Sequence, residues 1–261
     1  MNISSPDKLL FTDPPVTKRE VAQYYTATAG AMLPFVRGRA LSLVVCPQGV
    51  KSECFYKKNP APIIINTEHD LVAAVQNNTI EFHTWGSTTT NTEQPDMMVF
   101  DLDPDEGLGL KEVRQGVRDL KSVLDTLNLV AFLKTSGNKG YHVVVPFTPS
   151  ADWAVFSKFA KTIAIYMEQK WSNRYTSNVR KANRRGKIFV DWIRNTRGAT
   201  SIAPYSLRAK SGARISLPIA WNELGFIAPN SCTIKKALVR LKAPDPWTEF
   251  FKVGQAQRLG V

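Results

Sequence analysis

Asp101 and Asp103 stand one residue apart at the end of the apolar run in "MMVFDLDPDEG", residues 97 to 107. Successive side chains of a strand alternate faces, so both carboxylates project from one side. Two like charges that close repel each other and need a compensating positive charge. A third carboxylate, Asp191 in "KIFVDWI", interrupts another apolar strand. Burying it is costly unless a cation or strong hydrogen bonds compensate. Converging carboxylates supply the hard oxygen donors that Mg²⁺ or Mn²⁺ prefer. Two such ions can activate a hydroxyl, stabilise a pentacovalent phosphorus and screen departing pyrophosphate. The plainer readings are a solvated loop entrance for the DxD pair, and an ion pair with Arg194 or Arg184 for Asp191.

"KTSGNKGYH" adds what an anion needs. Gly137 and Gly140 let backbone amides approach a phosphate, while Ser136 contributes a hydroxyl and Lys139 a charge. The GxxxxGK[ST] spacing of a Walker loop is missing. His142 could donate to a phosphate oxygen, or simply be satisfied at a strand end. Arg208 in "YSLRAK" could grip a terminal phosphate bidentately, or be an ordinary surface charge.

These residues need elements to position them. "TKREVAQYYTATAGAMLPFV" carries Val21, Tyr24, Tyr25 and Ala29 at helical spacing behind the N-cap candidate Thr17, predicting a helix over 18–33. "ALSLVVC" and "ECFYKK" read as strands, and "HDLVAAVQNN" as a short helix. "MMVFDLD" is a strand that Pro104 helps to end. An amphipathic helix follows in "LKEVRQGVRDLKSVLDTL". "LVAFLKTSGNKGYHVVVPF" reads as strand, turn and strand, and "WAVFSKFAKTIAIYMEQKW" as a helix. "IFVDWI" is a further strand, and "PYSLRAKSGARIS" another strand and turn. The pattern is mixed α/β, with a boundary expected between an N-terminal part, 1–90, and a catalytic core, 91–261.

A net charge of +12 favours a polyanionic partner. No apolar run approaches the roughly 20 residues of a spanning helix, and "MNISSPDKLL" has no signal-peptide pattern. A soluble cytoplasmic protein without membrane contact is expected. Cys46, Cys54 and Cys232 show no CxxC, so buried, unpaired thiols are expected and neither a disulfide nor a zinc site is.

With "VFDLDPDEG", "LKTSGNKGYHVVVPF" and "RRGKIFVDWIRNTRGATSIAPYSLRA" in that order, the chain resembles the polymerase domain of the bacterial ligase D family. That family belongs to the archaeo-eukaryotic primase superfamily and acts in prokaryotic non-homologous end joining. The resemblance runs from "SPDKLLF" to "LPIAWNELG". It implies a primase-like α/β fold of mixed sheets flanked by helices, the two parts packed as one polymerase domain. By that resemblance Asp101, Asp103 and Asp191 hold two catalytic Mn²⁺ or Mg²⁺ ions. Ser136, Lys139, His142, Ser206 and Arg208 bind an NTP or dNTP, ribonucleotides being preferred.

The resemblance also implies a basic pocket, Lys8 and Lys18, for the 5′ phosphate of a gapped or 3′-overhang DNA end, with Ser5 where relatives carry asparagine. Phe55, Tyr56 and Lys58 in "CFYKKN" match the segment that meets the template strand, whereas a core strand with Phe55 inside is the plainer reading. "NPAPIIINTEHD" is shorter than the end-bridging loop of many relatives. His83 and Trp85 match the family without a role attached. Ku and a DNA ligase are the implied partners. No nuclease or ligase segment accompanies the motifs, so a stand-alone polymerase or an excised domain is expected. Two rival readings are a haloacid-dehalogenase-like phosphatase, whose first aspartate is a nucleophile, and a non-catalytic basic module that binds DNA ends.

Overall fold

The computed structural model describes residues 3–57 and 61–260, so Lys58 lies outside the described residues. β1 (Leu9–Thr12) and β2 (Pro15–Thr17) pair as a small hairpin that leads into α1 (Lys18–Val36). The Thr17 hydroxyl accepts from the Glu20 N–H, and the Glu20 carboxylate accepts from the Thr17 N–H. This reciprocal cap satisfies two donors that a helix start otherwise leaves orphaned. Thr67 and Asp70 repeat the device at the start of α2 (Glu68–Gln76).

Four strands make a smaller sheet in the order β11-β5-β3-β4. Three of them come from the N-terminal third: β3 (Leu41–Val45), β4 (Phe55–Lys57) and, after α2 (Glu68–Gln76), β5 (Thr79–Trp85). Ile80 and Phe82 of β5 pack into a core with Val21, Tyr25, Met32 and Leu71 from the two helices. Glu81, His83 and Trp85 alternate with them and therefore face the other way.

The larger sheet runs β12-β7-β8-β6-β10-β9. In chain order its elements are β6 (Met97–Pro104), α3 (Leu110–Thr126), β7 (Phe132–Thr135), β8 (Tyr141–Pro146), α4 (Trp153–Lys170), β9 (Tyr175–Thr176) and β10 (Ile188–Asp191). β11 (Thr200–Ile202) returns to the smaller sheet before β12 (Pro218–Ile219), and α5 (Ile234–Arg240) and α6 (Phe250–Ala256) follow. α3 and α4 bury Val117, Leu120, Phe156 and Ile163 against Met98, Phe100, Leu102, Leu133, Val143 and Val190. Period-two alternation then puts Asp101, Asp103, Lys134, His142 and Asp191 on the opposite face of that sheet.

The chain recrosses the boundary expected at residue 90. Tyr205, Leu207, Ile215 and Ala237 join the core built by α1 and β5, and Tyr24 donates its hydroxyl to the Tyr205 carbonyl at 2.6 Å. A bidentate pair of buried Arg39 with Asp96, at 2.6 and 2.7 Å, links β3's approach to β6's.

Three expectations are corrected. Cys46 and Cys54 form a disulfide, while Cys232 is a buried free thiol. The hairpin register Val45↔Phe55 sets the next pair outward, Cys46 and Cys54, opposite each other with 4.3 Å between Cα atoms, within reach of a bridge. Phe55 is not inside the core: β4 is an edge strand, and Phe55 and Tyr56 are 49% and 58% exposed. "PYSLRAKSGARIS" forms isolated bridges, Leu207↔Ile215 within it and Arg214↔Thr233 beyond it, rather than a strand.

Candidate active site

β6 and β10 are antiparallel neighbours in which Asp101 stands opposite Asp191 and Asp103 opposite Phe189. The three carboxylates thus occupy one patch at the Pro104 end of β6, two from one strand and one from its neighbour. Arg194 reaches Asp191 with its Nε at 3.1 Å and lies 3.8 Å from Asp101, and Arg184 lies 3.5 Å from Asp103. The ion pair foreseen for Asp191 is therefore made by Arg194, while Arg184 serves Asp103. Among the described residues, no three His, Cys, Asp or Glu side chains stand close enough to share one ion.

Burial pushes Asp101 up, but His142, Arg194 and Lys134 outweigh it and hold the carboxyl at about 2. Asp103 is raised by burial and by the charge of Asp101, against the pull of Arg184. Asp191 is raised by burial, Arg194 opposing and Asp101 assisting. This mutual repulsion, in an all-oxygen donor set, is what hard divalent cations relieve; the donor chemistry suits such ions, although in this arrangement the three carboxylates do not close on a single one.

His142 faces Asp101 across the β6–β8 pairing, its Nε2 3.5 Å from the carboxylate. Its Nδ1 is 3.0 Å from Lys134 Nζ, which also donates to the Ile202 carbonyl and the Ser216 hydroxyl at 2.9 and 2.8 Å. A lysine with its three protons so directed makes Nδ1 the acceptor and leaves Nε2 the donor toward Asp101. Burial and the neighbouring lysine lower His142 to about 4, so the ring is neutral near pH 7. Burial likewise pulls Lys134 well down, with Asp101 opposing.

The turn after β7 is shaped by Ser136, whose hydroxyl accepts from the N–H groups of Asn138 and Gly140 at 3.1 and 3.3 Å. Gly137 has φ +69°, and a Cβ there would meet Arg208 Cγ at 2.6 Å. A Cβ at Gly140 would meet the Leu102 carbonyl at 2.8 Å. Both glycines hence let the turn lie close against Arg208 and β6. Lys139 is exposed on this turn and its charge acts on Asp103. Arg208 lies 3.4 Å from Glu81, and its buried Nε has no partner among the described residues. Such an orphaned donor suits an incoming anion.

Glu81 braces this side. It meets His83 Nε2 at 2.7 Å and accepts from the Ala209 N–H at 2.6 Å. The His83 ring stands 5.6 Å from exposed Tyr56. Ser206 is not brought to the open face. Its fully buried hydroxyl accepts from the Phe82 N–H and donates to the Leu207 carbonyl, fastening the segment that carries Arg208.

Lys8 and Lys18 converge elsewhere, at the β1–β2 hairpin. Lys8 donates to the Pro47 carbonyl and Lys18 to the Gln76 carbonyl. Burial and the charge of Lys8 lower Lys18, the signature of two cations confined together. Ser5 takes a positive φ of 48°, and its carbonyl accepts from the Lys8 N–H. Lys134 and Glu81 are missing from the residues singled out by motif, although a lysine and a glutamate inside apolar strands are themselves a signal.

Comparison with known proteins follows the same lines. Residues 17–64 and 60–247 match the family described as LigD, primase-polymerase domain. The multifunctional non-homologous end joining protein LigD of Pseudomonas aeruginosa is 35% identical over 283 residues, which cover 99% of this chain and 34% of that protein. The bifunctional LigD of Bacillus subtilis is 27% identical over 278 residues, 99% of this chain and 45% of that one. The chain spans less than half the length of these curated relatives. Among solved structures, the polymerase domain of Mycobacterium tuberculosis ligase D in complex with DNA superposes with a TM-score of 0.86 at 27% identity, covering 93% of this chain and 94% of that one.

Proposed function

The chain belongs to the LigD primase-polymerase domain family, and from that premise we propose that it is a nucleotidyltransferase that extends primer 3′ ends and fills gaps at DNA double-strand breaks. The observation that carries this reading is the register Asp101↔Asp191, with Asp103 on the same face, opposite a turn and an arginine suited to phosphates. Membership in this family sets aside the phosphatase reading.

Asp101, Asp103 and Asp191 are the residues that would hold divalent cations, Mn²⁺ or Mg²⁺, which when bound lower the pKa of a primer hydroxyl and screen pyrophosphate. The chain supplies the rest. Arg208 and Lys139 offer charge to the β- and γ-phosphates of an NTP or dNTP, and the Gly137–Gly140 turn keeps its backbone close enough to join them. His142, kept neutral and oriented by Lys134, presents an N–H donor beside Asp101. Ser136 and Ser206 act through the backbone, one shaping the turn and the other anchoring the Arg208 segment.

Lys8 and Lys18 offer two neighbouring cations for a downstream 5′ phosphate, and exposed Phe55 and Tyr56 a platform beside the template strand. The net charge of +12 supports a DNA partner. Ku and a ligase activity are the partners that the end-joining relatives suggest. No helix among the described residues is long and apolar enough to cross a membrane. Primer extension with Mn²⁺ and NTPs tests the reading: the chain extends a primer and Asp101→Ala does not. DNA binding without extension would leave the non-catalytic module as the better account.

A further inference from the structure

Trp85 lies on the face of β5 that also carries Glu81 and His83, at the far end from the β4 platform. A cleft of about 360 Å³ opens over it, lined by Ser42, Ser87, Thr88, Thr92 and Arg197. The volume lies in the range of small-ligand pockets. The floor is rigid. The Trp85 N–H donates to the Ala40 carbonyl, and the Gly86 carbonyl accepts from the N–H groups of Asp96 and Met97. A Cβ at Gly86 would meet the Met97 carbonyl at 2.7 Å, so only glycine lets the strand lie that close. Behind the indole stands Trp153, 6.3 Å away edge-on, whose own N–H holds the Thr92 carbonyl at 2.8 Å.

The cleft adjoins the carboxylates through one short path. Arg194, which pairs with Asp191, donates to the Thr200 carbonyl at 3.3 Å, and Thr200 is the residue opposite Trp85 in the β11–β5 pairing. Inside the lining, the Ser87 hydroxyl is buried and has no hydrogen-bond partner among the described residues, and Ser87 is only 2% exposed. An unpaired buried hydroxyl in a cleft wall calls for a partner from outside the chain. The Arg197 guanidinium lies 5.7 Å from the indole centroid, and its fork is occupied by Glu93 at 2.6 to 3.1 Å. A neutralised arginine beside an aromatic ring offers a stacking surface rather than a phosphate site.

We propose that this cleft stacks one unpaired nucleobase of the DNA strand passing the carboxylates, with Trp85 as the platform. The proposal rests on the reading of the chain as a polymerase domain. It concerns a base, where Lys8 and Lys18 concern a phosphate.

The test uses a fluorescent primer–template duplex with a single-stranded overhang, whose duplex fixes the register, and a single abasic position moved along the overhang. Binding is read by anisotropy for the unaltered chain, Trp85→Leu and Trp85→Phe. Stacking predicts that one abasic position weakens the unaltered chain by roughly 5-fold or more. Trp85→Leu shows that loss on intact DNA and no further loss at that position, and Trp85→Phe restores most of the affinity. An unaltered chain indifferent to every abasic position would overturn the proposal, however the variants fold. So would Trp85→Leu that keeps the full abasic penalty. Failure of the unaltered chain to bind the DNA at all would overturn both this proposal and the polymerase reading.

Discussion

Replacing Gly137 by alanine should damage both stability and nucleotide affinity, by two separable routes. Gly137 has φ +69°, a left-handed conformation that costs a Cβ-bearing residue roughly 1–2 kcal/mol. For a chain of this size that lowers the melting temperature by roughly 2–8 °C. The new Cβ would also stand 2.6 Å from Arg208 Cγ and 3.0 Å from the Ile215 carbonyl carbon, so the arginine must leave its place above the turn. A charge-assisted hydrogen bond is worth roughly 1.5–3 kcal/mol, so losing one to a phosphate weakens NTP binding about 10-fold or more. Thermal melting and calorimetric NTP titration of Gly137→Ala, Arg208→Ala and the double variant separate the routes. If the alanine acts through Arg208, the double variant binds NTP no worse than Arg208→Ala alone. Losses that multiply would refute the coupling between turn and arginine.

Other predictions concern the scaffold. Arg39→Leu strands the Asp96 carboxylate of a bidentate, largely buried pair and should cost roughly 3–5 kcal/mol in urea unfolding; a loss below about 1 kcal/mol would show the pair to be dispensable. Reducing the Cys46–Cys54 bridge, or Cys46→Ser with Cys54→Ser, should lower stability by about 2 kcal/mol through the closed loop it releases, and identical melting with and without reductant would contradict the bridge. Burial pushes Glu223 up, but the Arg240 fork and the Ala220 N–H outweigh it and hold its carboxyl below the ordinary value. Its stabilising contribution is complete above about pH 4.3 and is lost as pH falls through the lower folded value. Glu223→Gln should flatten stability against pH in that acid range, and an unchanged slope would be inconsistent with the pair.

Local patterns made much of the site legible before the fold was known. The alternation in "MMVFDLDP" settles which side of β6 carries Asp101 and Asp103, and the apolar setting of Asp191 marks it as exceptional. The register that brings Asp191 opposite Asp101 pairs residues 90 apart in the sequence, which no local signal encodes. The same limit explains the disulfide, since the spacing of Cys46 and Cys54 says nothing until the hairpin register is fixed. β5 illustrates a different loss: "TIEFHTW" alternates clearly yet is absent from the predicted strands, and Glu81, the brace of Arg208, is absent with it. Lys134 escaped because a lysine between Leu133 and Thr135 looks like a solvated charge, whereas three acceptors from three segments enclose it. Ser206 matched a motif, but the fold spends its hydroxyl on two backbone groups.

The central claim is that Asp101 and Asp191, carried by two neighbouring strands, both take part in holding divalent cations. Titration of Mn²⁺ in the presence of an NTP, with the free ion followed by electron paramagnetic resonance, tests it without relying on turnover. The account predicts that the unaltered chain and a control at the distant exposed Glu249, Glu249→Gln, take up the ion alike, while Asp101→Asn and Asp191→Asn each lose most of that uptake. Uptake by the two aspartate variants equal to that of the unaltered chain would contradict it.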